Sequence, residues 1–397
     1  MRYTGYRVMK KTCRMCINGV NVCFGIGCFD EMLEDIALLG RRWYVVTTRG
    51  GSMERYGWIP RLREAAEKYG AEIKVCRCVS TNPTTAQADE AYRDASLFRA
   101  TVVIGIGGGS AIDVAKAGAA GIASKAKPSE LYRKARPIRG SVPLVAIPST
   151  HGTGSEVDGF AVLSDEETKS KAAIVSGMIK PKIAVVDPRL TRTLPQPLAG
   201  ATVVDAFSHA IESYVANNAS TLSRGFAREA LIAIGRGLRL LDERGWNDLS
   251  VREWFHYASM MAGVAIDLSR TTLLHALEHP ISFYHPDIHH GIGLALLLPF
   301  WASIVSRHAG PDLVEAVSYL GLGISDPVEA VKRLVVKLLG ETPSPASLGV
   351  EPAEAETIVA DAYRYLEPLV RNTPGYPFDK KGLAEELRRY LESWTKT

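Results

Sequence analysis

The pattern of apolar and polar positions changes character about halfway along the chain. Before residue 190, short apolar runs rich in β-branched residues read as strands: RWYVVTT (42–48), AEIKVC (71–76), ATVVIGIGGG (100–109), VPLVAIPST (142–150) and KIAVVDP (182–188). Stretches with helical spacing, such as PTTAQADEAYRDASLFRA, separate several of them. Strands that are almost continuously apolar predict a sheet covered on both faces, hence a mostly parallel, doubly wound α/β fold. Beyond residue 190 the apolar positions recur every three to four residues, in DAFSHAIESYVANNA, LSRGFAREALIAIGRGLRLLDERG, SVREWFHYASMMAGVAI, DLVEAVSYLGLG, DPVEAVKRLVVKLLG and DKKGLAEELRRYLESWTK. That half is expected to be all helical. Prolines and a polar run in DPRLTRTLPQPLAG separate the two regimes, so the expected domains are 1–190 and 191–397.

Composition narrows the functional classes. A chain of 397 residues with 46% hydrophobic residues can bury a large core, and its length favours two domains. The net charge of +4 is small and the basic residues are dispersed among acids, which argues against a nucleic-acid partner. The basic start, MRYTGYRVMKKTCRM, leads into no apolar core of a signal peptide. The longest apolar run, GIGLALLLPFWASIV (291–305), is too short to span a bilayer and is interrupted by Gly and Pro. The expectation is a cytoplasmic protein with no membrane partner. All six cysteines precede residue 79; Cys13 and Cys16 form one CxxC whose spacing Cys23 and Cys28 do not repeat, so buried free thiols are expected before a zinc site, with a disulfide as the alternative.

Two groups of residues carry chemistry. VVIGIGGGSAIDVAKAGA runs from a strand through Gly105, Gly107, Gly108 and Gly109 into a helix near Ser110, where free amides and the helix dipole would attract a phosphate. Ser110 stands where the GxGxxG fingerprint would have its third glycine. A second small-residue loop, IPSTHGTGSEVD, adds Ser149, Thr150, Thr153 and Ser155, so that two loops at neighbouring strand ends could form a dinucleotide crevice. In the second half, Asp205 and His209 lie four residues apart on one helical face, and His275 and His279 repeat that spacing. Five of the nine histidines fall between residues 275 and 291. A carboxylate with several imidazoles and no thiolate suits iron(II), zinc or another borderline divalent ion. The same stretch spells HxxEH, the inverted zinc-peptidase motif with Glu278 as base, but that reading leaves the glycine loops and the Asp205/His209 pair without a role. His256 and His308 have no partners in sequence and are expected to be packing or surface residues; His285 and His289 are expected in a loop around Pro286.

GIGGGSAIDVAK, IPSTHGTGSEVD, KPKIAVVDPRLTRTLP, DAFSHAIESY and HALEHPISFYHPDIHHGIGLALLLP occur in the order and at the spacing of the iron-containing, or group III, alcohol dehydrogenases of the dehydroquinate synthase-like superfamily, which the chain resembles over nearly its whole length. The resemblance implies a metal in a cleft between a dinucleotide domain and a helical domain, held by Asp205, His209, His275 and a last histidine before a glycine. His290 fits the final His-Gly anchor, and His289 is the alternative from counting residues. His279 matches the family's non-ligand histidine, proposed to relay protons near the nicotinamide. The cofactor match brings Gly107, Gly108, Gly109, Ser110 and Asp113 to the pyrophosphate, and Thr150, Thr153 and Lys171 to other parts of the dinucleotide. Where many NAD-preferring members carry Asp at the end of the second strand, this chain has Thr48 followed by Arg49; a 2'-phosphate then becomes acceptable and NADP is expected ahead of NAD. His151 and Asp158 are further departures from the pattern, at positions where either could alter the nicotinamide end or the substrate pocket. The implied reaction is hydride transfer between a small alcohol, or the aldehyde or ketone it forms, and the cofactor, with Fe2+ or Zn2+ as metal and a homodimer as the assembly. A glycerol-type polyol dehydrogenase and a dehydroquinate-synthase-like lyase are the nearest alternatives.

Overall fold

The computed structural model describes residues 12–394. The described residues form nine strands: β1 (Cys13–Ile17), β2 (Val20–Phe24), β3 (Arg42–Thr48), β4 (Glu72–Val79), β5 (Val102–Gly107), β6 (Leu144–Pro148), β7 (Phe160–Asp165), β8 (Ser170–Val175) and β9 (Ile183–Val186). Seven form one sheet in the order β1-β2-β9-β6-β5-β3-β4, parallel except for the β1–β2 hairpin, while β7 and β8 pair as a separate antiparallel ribbon. Period-two alternation sends Trp43 and Val45 to one face and Tyr44 and Val46 to the other, and helices cover both, so every one of these side chains is buried. The chain runs outward from β3 to β4 and then returns to place β5 on the other side of β3. The crevice at the carboxyl ends of β3 and β5 is therefore a switch point in the strand order, where open α/β sheets bind ligands.

From Gln196 onward the described residues contain no strand and pack helix on helix around one apolar core that also takes in Val22, Phe24 and Val186 from the sheet. Gln196–Val215 carries Asp205 and His209, and Leu273–Tyr284 carries His275 and His279. The apolar run at 291–305 belongs to a longer helix than the sequence pattern suggested, His290–Ser318. Among the described residues it alone is long and apolar enough to cross a membrane by length and composition, and 67% of its most apolar window is buried inside the protein, which accounts for that composition.

The cysteines depart from the expectation of buried free thiols at two pairs. Cys76 and Cys78, two residues apart on one face of β4, form a disulfide. Cys23 and Cys28 are buried free thiols as expected, and Cys13 and Cys16 are free and exposed.

Candidate active site

Asp205 projects from the middle of its helix, and three imidazoles from three helices converge on its Oδ1. His209 Nε2 lies at 3.5 Å, His275 Nε2 at 3.8 Å and His290 Nε2 at 3.8 Å. The donor atoms of Asp205, His275 and His290 all fall within 4.8 Å of one another, and the His209 ring stacks on His275 with centroids 4.7 Å apart. Asp205 Oδ1 and His275 Nε2 are buried without a hydrogen-bond partner. Buried polar atoms are normally satisfied, so converging orphans of this kind fit a cation bound among them. Burial opposes ionisation of Asp205, but the surrounding imidazoles outweigh it and hold the carboxyl well below its usual range.

The far nitrogens of His209 and His275 are held by hydrogen bonds and that of His290 lies against a carboxylate, which fixes the orientation of the rings. His209 Nδ1 donates to the Gly152 carbonyl at 3.3 Å. His275 Nδ1 donates to Glu212 Oε2, while Glu212 Oε1 accepts from the Thr272 amide at 2.8 Å and hydroxyl at 2.6 Å. Burial pushes the His275 pKa down, but Glu212 and Asp205 more than offset this and raise it to about 10. His290 Nδ1 faces Glu278 Oε2, whose other oxygen accepts from Ser282. Glu278 is fully buried, and the cavity described below is not lined by it. It orients a histidine instead of facing a substrate, which removes the base that a peptidase reading requires. Glu212 was missed by motif reading, although its position three residues after His209 put it on the same helical face.

His289 caps the His290–Ser318 helix, accepting from the Gly291 amide through Nδ1 at 3.2 Å. His285 pairs with Glu354 at 2.9 Å. His256 is buried and donates to the Thr150 carbonyl at 3.0 Å. His279 lies beside the cluster, its ring centroid 5.6 Å from that of His290, and its Nδ1 has no partner. Burial, followed by the nearby Lys171 cation, lowers the His279 pKa well below that of a free imidazole, so this ring is neutral at physiological pH.

The glycine loop closes the other side of the site. Gly108 caps the Gly109–Ser124 helix without a side-chain hydrogen bond, leaving first-turn amides for a ligand. A Cβ on Gly109 would lie 2.5 Å from Thr153 Cγ2, so only glycine lets the two loops meet. A cavity of about 440 Å³ reaches from Gly109, Ser110, Asp113 and Thr153 past Lys171 to Asp205, His209, His275, His279 and His290. Asp113 accepts from Ser155 at 2.6 Å and from the Val162 amide at 3.1 Å; burial raises its pKa to about 7 against the pull of the Lys116 cation. Lys171 donates to Asn82 at 3.0 Å, and Asn82 in turn donates to the carbonyls of Pro286 and Ile288 in the loop leading to His290. Thr48, Arg49, Gly107, Gly108 and Thr150 do not line that cavity. Thr48 ends β3 beside Gly107, and Arg49 is exposed with its Nε donating to the Cys78 carbonyl at 3.2 Å.

The two departures from the family pattern separate. Asp158 lines the cavity and pairs with the buried Lys116, which also donates to Ser155 at 2.8 Å. His151 faces away from the cavity: Nδ1 donates to Thr202 at 3.0 Å and Nε2 accepts from Arg252 at 3.2 Å, inside the helical half.

Comparison with known proteins gives the family. The chain matches the family described as iron-containing alcohol dehydrogenase over residues 20–188, and the C-terminal region of the Fe-containing alcohol dehydrogenase family over residues 199–380. It is 33% identical over 363 residues to a long-chain primary alcohol dehydrogenase of Thermoanaerobacter ethanolicus, covering 88% of this chain and 91% of the relative. An NADPH-dependent butanol dehydrogenase of Clostridium saccharobutylicum is 30% identical over 326 residues, covering 80% and 82%. Among solved structures, an archaeal halo-thermophilic alcohol dehydrogenase from a Red Sea brine pool superposes with a TM-score of 0.86 at 26% identity, covering 98% of this chain and all of the other.

Proposed function

The chain belongs to the iron-containing alcohol dehydrogenases, NAD(P)-dependent oxidoreductases of alcohols and their carbonyl products, and within that family we propose a specific division of labour among its residues. Asp205, His209, His275 and His290 hold one divalent ion, iron in preference to zinc. The observation that carries this assignment is the convergence of three imidazole Nε2 atoms on one unpartnered carboxylate oxygen, in the same cavity as the helix N-terminus at Gly109. When bound, the ion supplies Lewis acidity toward the substrate oxygen and the nicotinamide supplies or accepts hydride.

The protein's own residues do the rest. Gly107, Gly108, Gly109 and Ser110 present backbone amides to the pyrophosphate, and Asp113, Thr150, Thr153 and Lys171 position the remainder of the dinucleotide. His279, neutral and with a free Nδ1, passes a proton between the substrate oxygen and solvent. Arg49, exposed at the end of β3 with no carboxylate at Thr48, accepts a 2'-phosphate and favours NADP over NAD. The functional units are 1–190 for the cofactor and 191–397 for metal and substrate, in a cytoplasmic homodimer.

The test is cofactor oxidation at 340 nm by iron(II)-loaded protein with a panel of aldehydes and ketones, comparing NADPH with NADH. A higher kcat/KM with NADPH, reduced by Arg49→Ala by about tenfold, the scale of a charge-assisted contact, is expected. Equal use of the two cofactors by both forms would overturn the assignment of Arg49, and sedimentation at micromolar concentration tests the dimer.

A further inference from the structure

Arg270 ends the Leu249–Ser269 helix with φ 68° and ψ 168°. This is not the left-handed helical region that asparagine tolerates, but one occupied almost only by glycine, where a side chain costs about 1–3 kcal/mol and persists chiefly at functional sites. Five residues before His275, a glycine would remove that cost, yet the chain keeps its longest cationic side chain there. The guanidinium lies over the Phe160 ring at 4.5 Å and lines the same cavity as His275, His279 and His290. It makes no hydrogen bond or ion pair with any described residue. The two acids that act on it electrostatically are already engaged: Asp267 accepts from Asn18 and the Gly159 amide and pairs with Lys180 at 2.6 Å, and Asp158 pairs with Lys116. The lining of this cavity also includes the apolar Ile266, Leu366 and Leu369. The same cavity thus holds the histidine cluster, an apolar wall and a guanidinium that has no hydrogen-bond or ion-pair partner among the described residues.

Resting on the dehydrogenase reading above, we propose that Arg270 is a specificity-determining residue that binds a carboxylate at the far end of the substrate, so that the preferred substrates are short ω-oxo acids and the matching ω-hydroxy acids. In the reduction, the nicotinamide hydride bonds to the aldehyde carbon, the C=O π bond breaks, the oxygen takes one proton, and the cofactor leaves oxidised; the carboxylate is unchanged. A planar guanidinium suits a carboxylate because two parallel N–H groups meet its two oxygens.

The experiment compares 4-oxobutanoate with butanal, equal in length and differing in the terminal carboxylate, in wild type, Arg270→Gly and Arg270→Lys. Glycine adopts this backbone conformation freely, so Arg270→Gly is expected to melt no lower than wild type. The ratio of kcat/KM for 4-oxobutanoate over butanal should fall about 10- to 100-fold in Arg270→Gly, the range of a charge-assisted hydrogen bond, and be partly rescued in Arg270→Lys. A ratio that does not change, or a loss confined to the cofactor KM, would overturn the proposal. A second readout needs no turnover: calorimetric titration of 4-hydroxybutanoate into iron(II)-loaded protein saturated with NADPH. The same 10- to 100-fold loss of affinity is expected in Arg270→Gly, and equal affinity in both forms overturns the proposal. If neither aldehyde is reduced while this affinity difference stands, the dehydrogenase reading falls and the anion site survives; if both are reduced with one unchanged preference, the reverse holds.

Discussion

Two adjacent histidines receive opposite tasks from the backbone around them. His289 uses Nδ1 to accept the Gly291 amide and start a helix, whereas His290, one residue inside that helix, turns Nε2 toward Asp205. His290→Ala is therefore expected to lose the metal and, with it, more than about 100-fold in kcat/KM. His289→Ala should keep a full equivalent of metal and lose only about 1 kcal/mol of stability as an N-cap. Metal analysis and thermal unfolding of both variants decide this. Glu212→Gln, which leaves the ligands intact but weakens the hold on His275 Nδ1, should lower metal affinity by about 10- to 100-fold in a competition titration. His256 gives a pH prediction away from the metal. Burial depresses its pKa to about 4, so between that value and the ordinary 6.5 the unfolded chain binds the proton that the folded protein refuses. Its contribution is present above pH 6.5 and is lost as pH falls toward 4, by on the order of 1.4 kcal/mol per unit. Unfolding free energies measured across that window should show the slope in wild type, and His256→Gln should flatten it.

At the scale of elements, the site depends on where two strand ends and three helices are brought together. Gly109→Ala would press a methyl group against Thr153 and is expected to raise the KM for NADPH by about tenfold or more, through a shift of the two loops of a fraction of an ångström. Much of this assembly was legible in the sequence. β3, β5, β6 and β9 were visible because strands buried on both faces are runs of apolar residues, and the helices at 221–244, 249–269, 327–339 and 380–393 because their apolar positions recur every three to four residues; the helix at 355–365 was not read. The β1–β2 hairpin and the β7–β8 ribbon were not, since β1 is mostly exposed and β8 is buried unevenly, so neither alternates cleanly. Asp205, His209 and His275 could be named from i, i+4 spacing and the family motifs. Arg270 could not, because its signal is a backbone angle that no residue pattern records. The Lys116–Asp158 pair was equally hidden, its partners lying 42 residues apart on different elements.

For the whole molecule, the proposed metal donors all come from the helical half and the proposed phosphate cradle from the α/β half, with one cavity lined by residues of both. Each ligand should then stabilise the fold by mass action, by about 2.7 kcal/mol at a concentration 100 times its Kd. In thermal unfolding, His290→Ala should lose the iron-dependent increment and retain the NADPH-dependent one. One divalent ion held by Asp205, His209, His275 and His290 should be required for hydride transfer to a carbonyl. The most direct test is to strip the protein with chelator, titrate iron(II) back without oxygen, and follow carbonyl-dependent NADPH oxidation against metal bound. Activity that rises in proportion to metal and saturates at a single equivalent per chain is the expected result. Full oxidation by the metal-free protein, or a bound equivalent that restores none, would contradict the account.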